Sequence, residues 1–251
     1  MGFPCSKNRI ETVNSPFFVI TDYNHLPHDL SQSWLPRYTN DNYLIYDRAD
    51  RWEETDKIKK QINVGENVYD MADFIVKNYT NLPDVMVFVK ADVVPRHCGE
   101  EKFSNIIKNV FYTPIENYCR NTPGYHQGAY AYVDEHDGYW ESSTEVNYLL
   151  SAIHPGKYFN TYQSFFFEVF ENPTFGNYIR FAPGGNHLIT KKDILRYNVH
   201  FYELIRTITS WDVRPGEAFL LERGIYTIFN NDYIIKEKCK NKDWTVPHED
   251  Y

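Results

Sequence analysis

Two hydrophobic periods alternate along this chain, and the order in which they follow one another predicts its architecture. Phe17-Phe-Val-Ile-Thr-Asp22 is a compact β-branched and aromatic run and reads as a buried strand. A polar loop, Tyr23-Asn-His-Leu-Pro-His-Asp29, leads to a short helix or turn over 30–35. Asn42-Tyr-Leu-Ile-Tyr-Asp47 then reads as a second strand, followed directly by Arg48. Beyond the charged stretch 50–60, Val68, Met71, Ala72, Ile75, Val76 and Tyr79 fall at helical spacing and form one apolar stripe, predicting a helix over 66–79. Asn81-Leu-Pro-Asp84 closes it, and 84–89 reads as a third strand that runs on to Asp92. Strand, crossover, strand, helix, strand is an α/β signature, with crossovers that are right-handed almost without exception.

The second half is less regular. Phe103, Ile106, Ile107, Val110 and Phe111 mark a further helix. The stretch 120–160 is rich in Pro, Gly, Tyr and acids without clear period, and reads as loops with short strands or a helix over 146–152, an acceptor-facing insertion. Residues 163–171 and 177–182 read as strands. Thr190-Lys-Lys-Asp193 resembles a capping box and opens a helix to about residue 210, burying Ile194, Leu195, Val199, Tyr202, Ile205 and Ile208. Pro215-Gly216 breaks the chain before a last helix over 217–229. The expected organisation is one α/β domain over 16–230, a Rossmann-like mixed sheet flanked by helices, with a loose lead-in (1–15) and a charged tail (231–251).

A length of 251 residues allows one sizeable core. The net charge of −8 argues against a nucleic-acid surface, which carries a basic stripe, so no nucleic-acid partner is expected. No apolar run reaches the length of a membrane span and no secretory signal opens the chain, so no transmembrane segment is expected. Cys5, Cys98, Cys119 and Cys239 are scattered without a CxxC pair, which fits reduced thiols and a cytoplasmic location. The 43 aromatic residues (21 Tyr, 17 Phe, 5 Trp) are mostly core material, although Tyr and Trp also make platforms for sugars and bases.

Chemistry concentrates at the strand ends. Asp22, Asp47 and Asp92 terminate three strands, and parallel strands would carry them to one edge of the sheet, where open α/β folds bind ligands. Turn chemistry is the plainer explanation for each acid alone. Asp47 suits hydrogen bonds to a ribose or base, and Asp92 suits a divalent cation. The Asn63-Val-Gly-Glu66 turn either presents N–H groups to a phosphate or is an ordinary helix start capped by Asn63. It lacks the glycine patterns of a P-loop or a dinucleotide site. His187, after Pro183-Gly-Gly-Asn, is a possible metal ligand or phosphate donor. Glu222, inside an apolar helix, is either half of a structural ion pair or a catalytic carboxylate.

The blocks Val19-Ile-Thr-Asp-Tyr-Asn24, Ser33-Trp-Leu35, Asn63-Val-Gly-Glu66 and Asn78-Tyr-Thr-Asn-Leu-Pro-Asp-Val-Met-Val-Phe88 resemble an uncharacterised domain family related to small glycosyltransferases. Gly185-Asn-His-Leu-Ile-Thr-Lys-Lys-Asp-Ile-Leu195 and Leu221-Glu-Arg223 are similar to the closing helices of that group. The resemblance implies a GT-A-type fold and transfer of a sugar from a nucleoside-diphosphate sugar to a glycan or other hydroxyl acceptor. On this reading Asp22, Tyr23, Asp47, Arg48, Asn63, Glu66 and Lys90 are expected against the donor and Asp92 and His187 on Mn²⁺ or Mg²⁺; Glu222 is the candidate base if the transfer inverts the anomeric carbon, whereas a retaining transfer would not need it in that role. The chain departs from the family's Asp-x-Asp motif, since Lys90-Ala-Asp92 keeps only the second acid. The alternative expectations are a non-catalytic nucleotide- or carbohydrate-binding protein of the same fold and, less favoured, a metal-dependent hydrolase.

Overall fold

The computed structural model describes residues 15–116, 124–126, 129–135, 138–142 and 154–242. The lead-in to residue 14, the proposed helix over 146–152, the tail beyond 242, and Cys5 and Cys119 lie outside the described residues. The first half contains β1 (Phe17–Asp22), α1 (Leu35–Tyr38), β2 (Tyr43–Asp47), β3 (Ile58–Lys60), α2 (Glu66–Asn78), β4 (Val85–Lys90), α3 (Glu100–Ile106) and β5 (Thr113–Pro114). There follow β6 (Gly124–His126), β7 (Ala129–Val133), β8 (Tyr139–Ser142), α4 (Tyr162–Val169), β9 (Tyr178–Arg180) and β10 (His187–Thr190). The chain continues through α5 (Lys191–Ile194), α6 (Val199–Thr209) and α7 (Gly216–Asn230).

The fold is α/β. A six-stranded mixed sheet has the order β3-β2-β1-β4-β10-β5. β3, β2, β1 and β4 are parallel, whereas β10 runs antiparallel to both β4 and β5. Side chains alternate between its two faces as the strand period requires. Val19, Met86, Phe88 and Ile189 join one buried cluster with residues of α2, α4, α6 and α7. Phe18, Ile20, Val85, Val87, Val89 and Leu188 join another with Trp34, Leu35 and Phe103. Both faces are therefore covered, which explains the near-continuous apolar runs of β1 and β4. β6-β7-β8-β9 form a separate antiparallel sheet; β9 falls within the strand expected over 177–182, and β6, β7 and β8 are short strands in the stretch expected to hold loops with short strands.

Three expected elements differ, and one strand lies where none was expected. The helix marked by Phe103, Ile106, Ile107, Val110 and Phe111 ends at Ile106, and Val110 and Phe111 are exposed beyond it. The strand expected over 163–171 is instead occupied by α4, which ends at Val169. The consecutive phenylalanines suggest β propensity, but Thr161 and Ser164 make a reciprocal capping box, and Tyr162, Phe165, Phe166 and Val169 are buried at helical spacing. The single helix expected over 190–210 is two. α5 does begin with the capping box of Thr190 and Asp193, but it ends at Ile194, and Asn198 caps a new helix by accepting from the Phe201 N–H. β3 lies inside the charged stretch 50–60, where exposed Lys59 and Lys60 hide an edge strand with only Ile58 buried.

α2 starts in an unusual conformation that matters for the cleft below. Gly65 (φ +64°) and Glu66 (φ +51°) are both left-handed, and the Gly65 N–H donates to the Asp212 carbonyl. A Cβ at Gly65 would stand 2.3 Å from the Thr209 carbonyl oxygen, so this turn sits directly on the end of α6. Asn63 is not the helix cap, which is Gly65 with no side-chain cap bond. Gly65→Ala is expected to lower stability by at least ~2 kcal/mol, combining the left-handed penalty with a backbone overlap. Urea unfolding measures this; an unchanged midpoint would mean the turn relaxes freely.

Candidate functional site

The strand order reverses at β1: its neighbour on one side is β2, the next strand in the chain, and on the other side β4. Crevices beyond the carboxyl ends of strands at such a switch point are where open α/β sheets bind ligands. A cleft of about 660 Å³ lies there. Thr21 from the end of β1 and Lys90 from the end of β4 reach it, with Arg48 from the β2 side and Asn63 and Glu66 from the start of α2. Asp92, Arg96 and His97 line it from the loop after β4, Gly184 from the turn before β10, and Arg214, Phe219 and Glu222 from the beginning of α7.

Its floor is an ion pair taken out of water. Arg48 Nε donates to Asp70 Oδ2 at 3.0 Å, and Arg48 Nη2 stands 2.8 Å from Asp70 Oδ1. The Thr21 hydroxyl donates to the same carboxylate at 2.6 Å, and Arg48 also donates to the Glu66 carbonyl. Burial pushes Asp70 upward, and the Arg48 guanidinium and the Thr21 hydroxyl act against it. Above this floor, Lys90 Nζ donates to Glu66 Oε2 at 3.0 Å, and Arg214 Nε lies 3.8 Å from Glu66 Oε1. The Lys90 N–H donates to Asn186 Oδ1, which fixes the end of β4 to the turn before β10.

Glu222 Oε1 accepts from the Gly184 N–H. Burial raises its pKa above the ordinary carboxylate value, opposed by Lys90, Arg223 and the Gly184 N–H. Asp92 goes the other way. Burial alone would raise it, but the Arg96 hydrogen bond (2.6 Å to Oδ2) and the nearby His97 and His25 outweigh burial and lower it. Burial lowers the His97 pKa to about 4, against the raising influence of Asp92. Asp92 Oδ1 and His97 Nε2 are 3.8 Å apart, and neither buried atom has a hydrogen-bond partner.

No family model, curated protein or solved structure gives a significant match to this chain.

Of the residues expected at the site, the fold gathers Tyr23, Arg48, Asn63, Glu66, Lys90, Asp92 and Glu222 around one cleft. It does not bring Asp22, Asp47 or His187 there. Asp22 and Asp47 are paired in register at the same edge, but their carboxylates turn back onto their own loops. Asp22 accepts from the His25 and Leu26 N–H groups and pairs with Arg51. Asp47 accepts from the N–H groups of Ala49, Arg51 and Trp52. Both therefore shape loops rather than face a ligand, the outcome ordinary turn chemistry dictates.

His187 belongs to β10, opposite Phe88, so its ring lies on the helix-covered face of the sheet. It is fully buried, its Nδ1 is 3.1 Å from the Tyr112 hydroxyl, and the two rings stack. It stands away from Asp92 and the cleft. The histidine beside Asp92 is His97. Its signal was available in the spacing, because it follows Asp92 by five residues on the same loop. Arg96 and Arg214 were missed as well; one lies on that loop and the other directly precedes the Pro215 break.

Burial lowers the His187 pKa from 6.5 to about 3, so the folded protein holds it neutral while the unfolded chain takes up a proton. Its contribution to stability is complete above pH 6.5 and is lost as the pH falls from there towards 3. The slope approaches ~1.4 kcal/mol per pH unit inside that window. Denaturant titrations between pH 4 and 7 are expected to show at least this slope, to which His97 adds with the same sign, and His187→Gln to reduce it. An equal slope in the variant would assign the acid lability elsewhere.

Proposed function

We propose that this protein is a GT-A-like glycosyltransferase that moves a sugar from a nucleoside-diphosphate sugar to an acceptor hydroxyl. The observation that carries the reading is the position and lining of the cleft. A switch-point crevice lined by Lys90, Arg96 and Arg214 suits a diphosphate, and the exposed Tyr23 ring at its edge suits stacking on a base. Arg48 supports this surface from below, because its guanidinium is already held by Asp70.

In the reaction, the bond between the anomeric carbon and the diphosphate oxygen breaks, and the diphosphate leaves with the electron pair. Lys90 and the two arginines offset the charge that develops on it. The acceptor oxygen bonds to the anomeric carbon and gives up its proton. Glu222 is the base in this scheme, since burial makes it more proton-avid than a surface carboxylate and the Gly184 N–H orients it. Mn²⁺ or Mg²⁺, when bound at Asp92, would supply further charge for the diphosphate. The unpartnered Asp92 Oδ1 is compatible with that role.

A non-catalytic nucleotide-binding protein is the second reading. It is favoured by Lys90 standing where the family has its first metal-binding acid, and by Arg96 occupying one oxygen of Asp92. Nucleoside-diphosphate sugars assayed with and without Mn²⁺ for release of nucleoside diphosphate separate the two. Lys90→Ala is expected to weaken donor binding at least ~10-fold, the scale of a charge-assisted hydrogen bond. Glu222→Gln is expected to spare donor binding and slow release ~100-fold or more. Binding without turnover by any donor would favour the second reading, and no nucleotide binding at all would end both.

A further inference from the structure

We infer that the open face of the second sheet, carried by Tyr132, Trp140 and Tyr178, is a platform for the sugar rings of an oligosaccharide acceptor. Binding of the sugar stands by itself; only its role as acceptor rests on the glycosyltransferase reading. An antiparallel sheet with one face on a core normally turns polar side chains outward. Here Ala131, Tyr139, Ile179 and Phe181 are buried on one side. At the alternate positions Tyr132 lies opposite Trp140, Trp140 lies opposite Arg180, and Tyr178 precedes Arg180 by two residues on β9. Tyr132 is 38% exposed, Tyr178 is 42% exposed, and Trp140 is partly buried. Clustered aromatic rings where polar side chains would ordinarily stand mark a surface built to bind.

The rings are held in order. Tyr132 and Trp140 have centroids 6.1 Å apart and planes 3° from parallel, and Tyr178 meets Tyr132 at 5.2 Å with its plane turned by 75°. Trp140 Nε1 donates to Asp134 Oδ2 at 2.7 Å, and Asp134 Oδ1 accepts from the Gly138 N–H. The hairpin between β7 and β8 therefore sets the indole in place.

Area and charge select the occupant. Even at ~250 Å² per aromatic side chain, these three rings expose roughly 300 Å² or less. A stable protein partner needs about 800 Å² on each side, so the strip is too small for one. Among the described residues the cation of this face is Arg180, and Glu116 already holds it at 2.7 Å, which disfavours a phosphorylated ligand. A pyranose ring fits what remains. Its C–H face rests on aromatic carbon, and its hydroxyls meet the phenol groups at the edges.

The platform joins the cleft at two points. Arg180 precedes Gly184 by four residues, at most ~14 Å of chain, and the Gly184 N–H is the group that orients Glu222. On α7, Tyr226 follows Glu222 by one turn, about 6 Å along the helix, and its ring packs against Trp140 with 6.5 Å between centroids. A sugar chain seated on the platform thus extends its terminal hydroxyl towards the proposed base.

The test is titration of the full chain with cellotetraose, maltotetraose, mannotetraose and chitotetraose, followed by ligand-observed nuclear magnetic resonance without nucleotide. Wild type is expected to bind at least one of them. Tyr132→Ala and Tyr178→Ala, both at exposed positions, should each weaken that binding ~3-fold or more and the double variant ~10-fold, the scale of aromatic stacking contacts. Phe111→Ala, which removes an exposed ring outside this sheet, should bind as wild type does. Binding of none of the four, or equal affinity in wild type and the double variant, would overturn the platform. Nucleoside diphosphate affinity is measured on the same samples. Nucleotide binding without saccharide binding would sink the platform and leave the donor reading standing. Saccharide binding that the double variant loses, in a protein with no nucleotide affinity, would do the reverse.

Discussion

The arginine–aspartate pair beneath the cleft is the constraint on which the rest of the site depends. Asp70 brings in α2, Arg48 follows β2, and Thr21 ends β1, so one carboxylate joins three elements at a point hidden from solvent. Removing two charges from water costs several kcal/mol, and only close geometry with further hydrogen bonds offsets it. That geometry is present here. It also brings the Glu66 carbonyl against Arg48, which holds the left-handed start of α2 over the sheet. A backbone in that conformation is costly for a residue other than glycine, and such positions cluster where a protein has something to hold.

The charges above the pair are already matched among themselves. Lys90 and Arg214 share Glu66, and Arg96 is taken by Asp92. A phosphorylated ligand entering the cleft would exchange these internal partners for its own oxygens, so the gain on binding is the difference between the two arrangements. The matching also restrains these cationic side chains before any ligand arrives, which reduces the ordering cost.

Much of the sheet was legible in the sequence because β1, β2 and β4 are covered on both faces and carry continuous apolar runs. The stripe of α2 and the Pro-Gly start of α7 were equally clear. What escaped was structure whose signal is not periodic. β3 and β5 are short edge strands, and the second sheet pairs segments of three to five residues in a stretch of mixed polarity, of which the strand over 177–182 alone was read with bounds. α4 was misread because three consecutive phenylalanines suit either period, and only the cap at Thr161 decides. At the site, the correct edge of the sheet could be read from strand-terminal acids, but not which acids turn outward. Asp22 and Asp47 each find backbone N–H donors within a few residues, whereas Asp92 finds Arg96 and keeps one oxygen open. That difference lies in loop conformation, which spacing alone does not encode.

The reversed direction of β10 has an architectural corollary. Four parallel strands deliver the tips of their loops to the rim, whereas β10 starts there, so its preceding turn arrives from the small antiparallel sheet. Gly184 and Asn186 in that turn meet His97, Glu222, Asn67 and the end of β4. The segment 181–186 is consequently a keystone shared by the two sheets. Shortening it would distort one wall of the crevice while the parallel core, anchored elsewhere, kept its register.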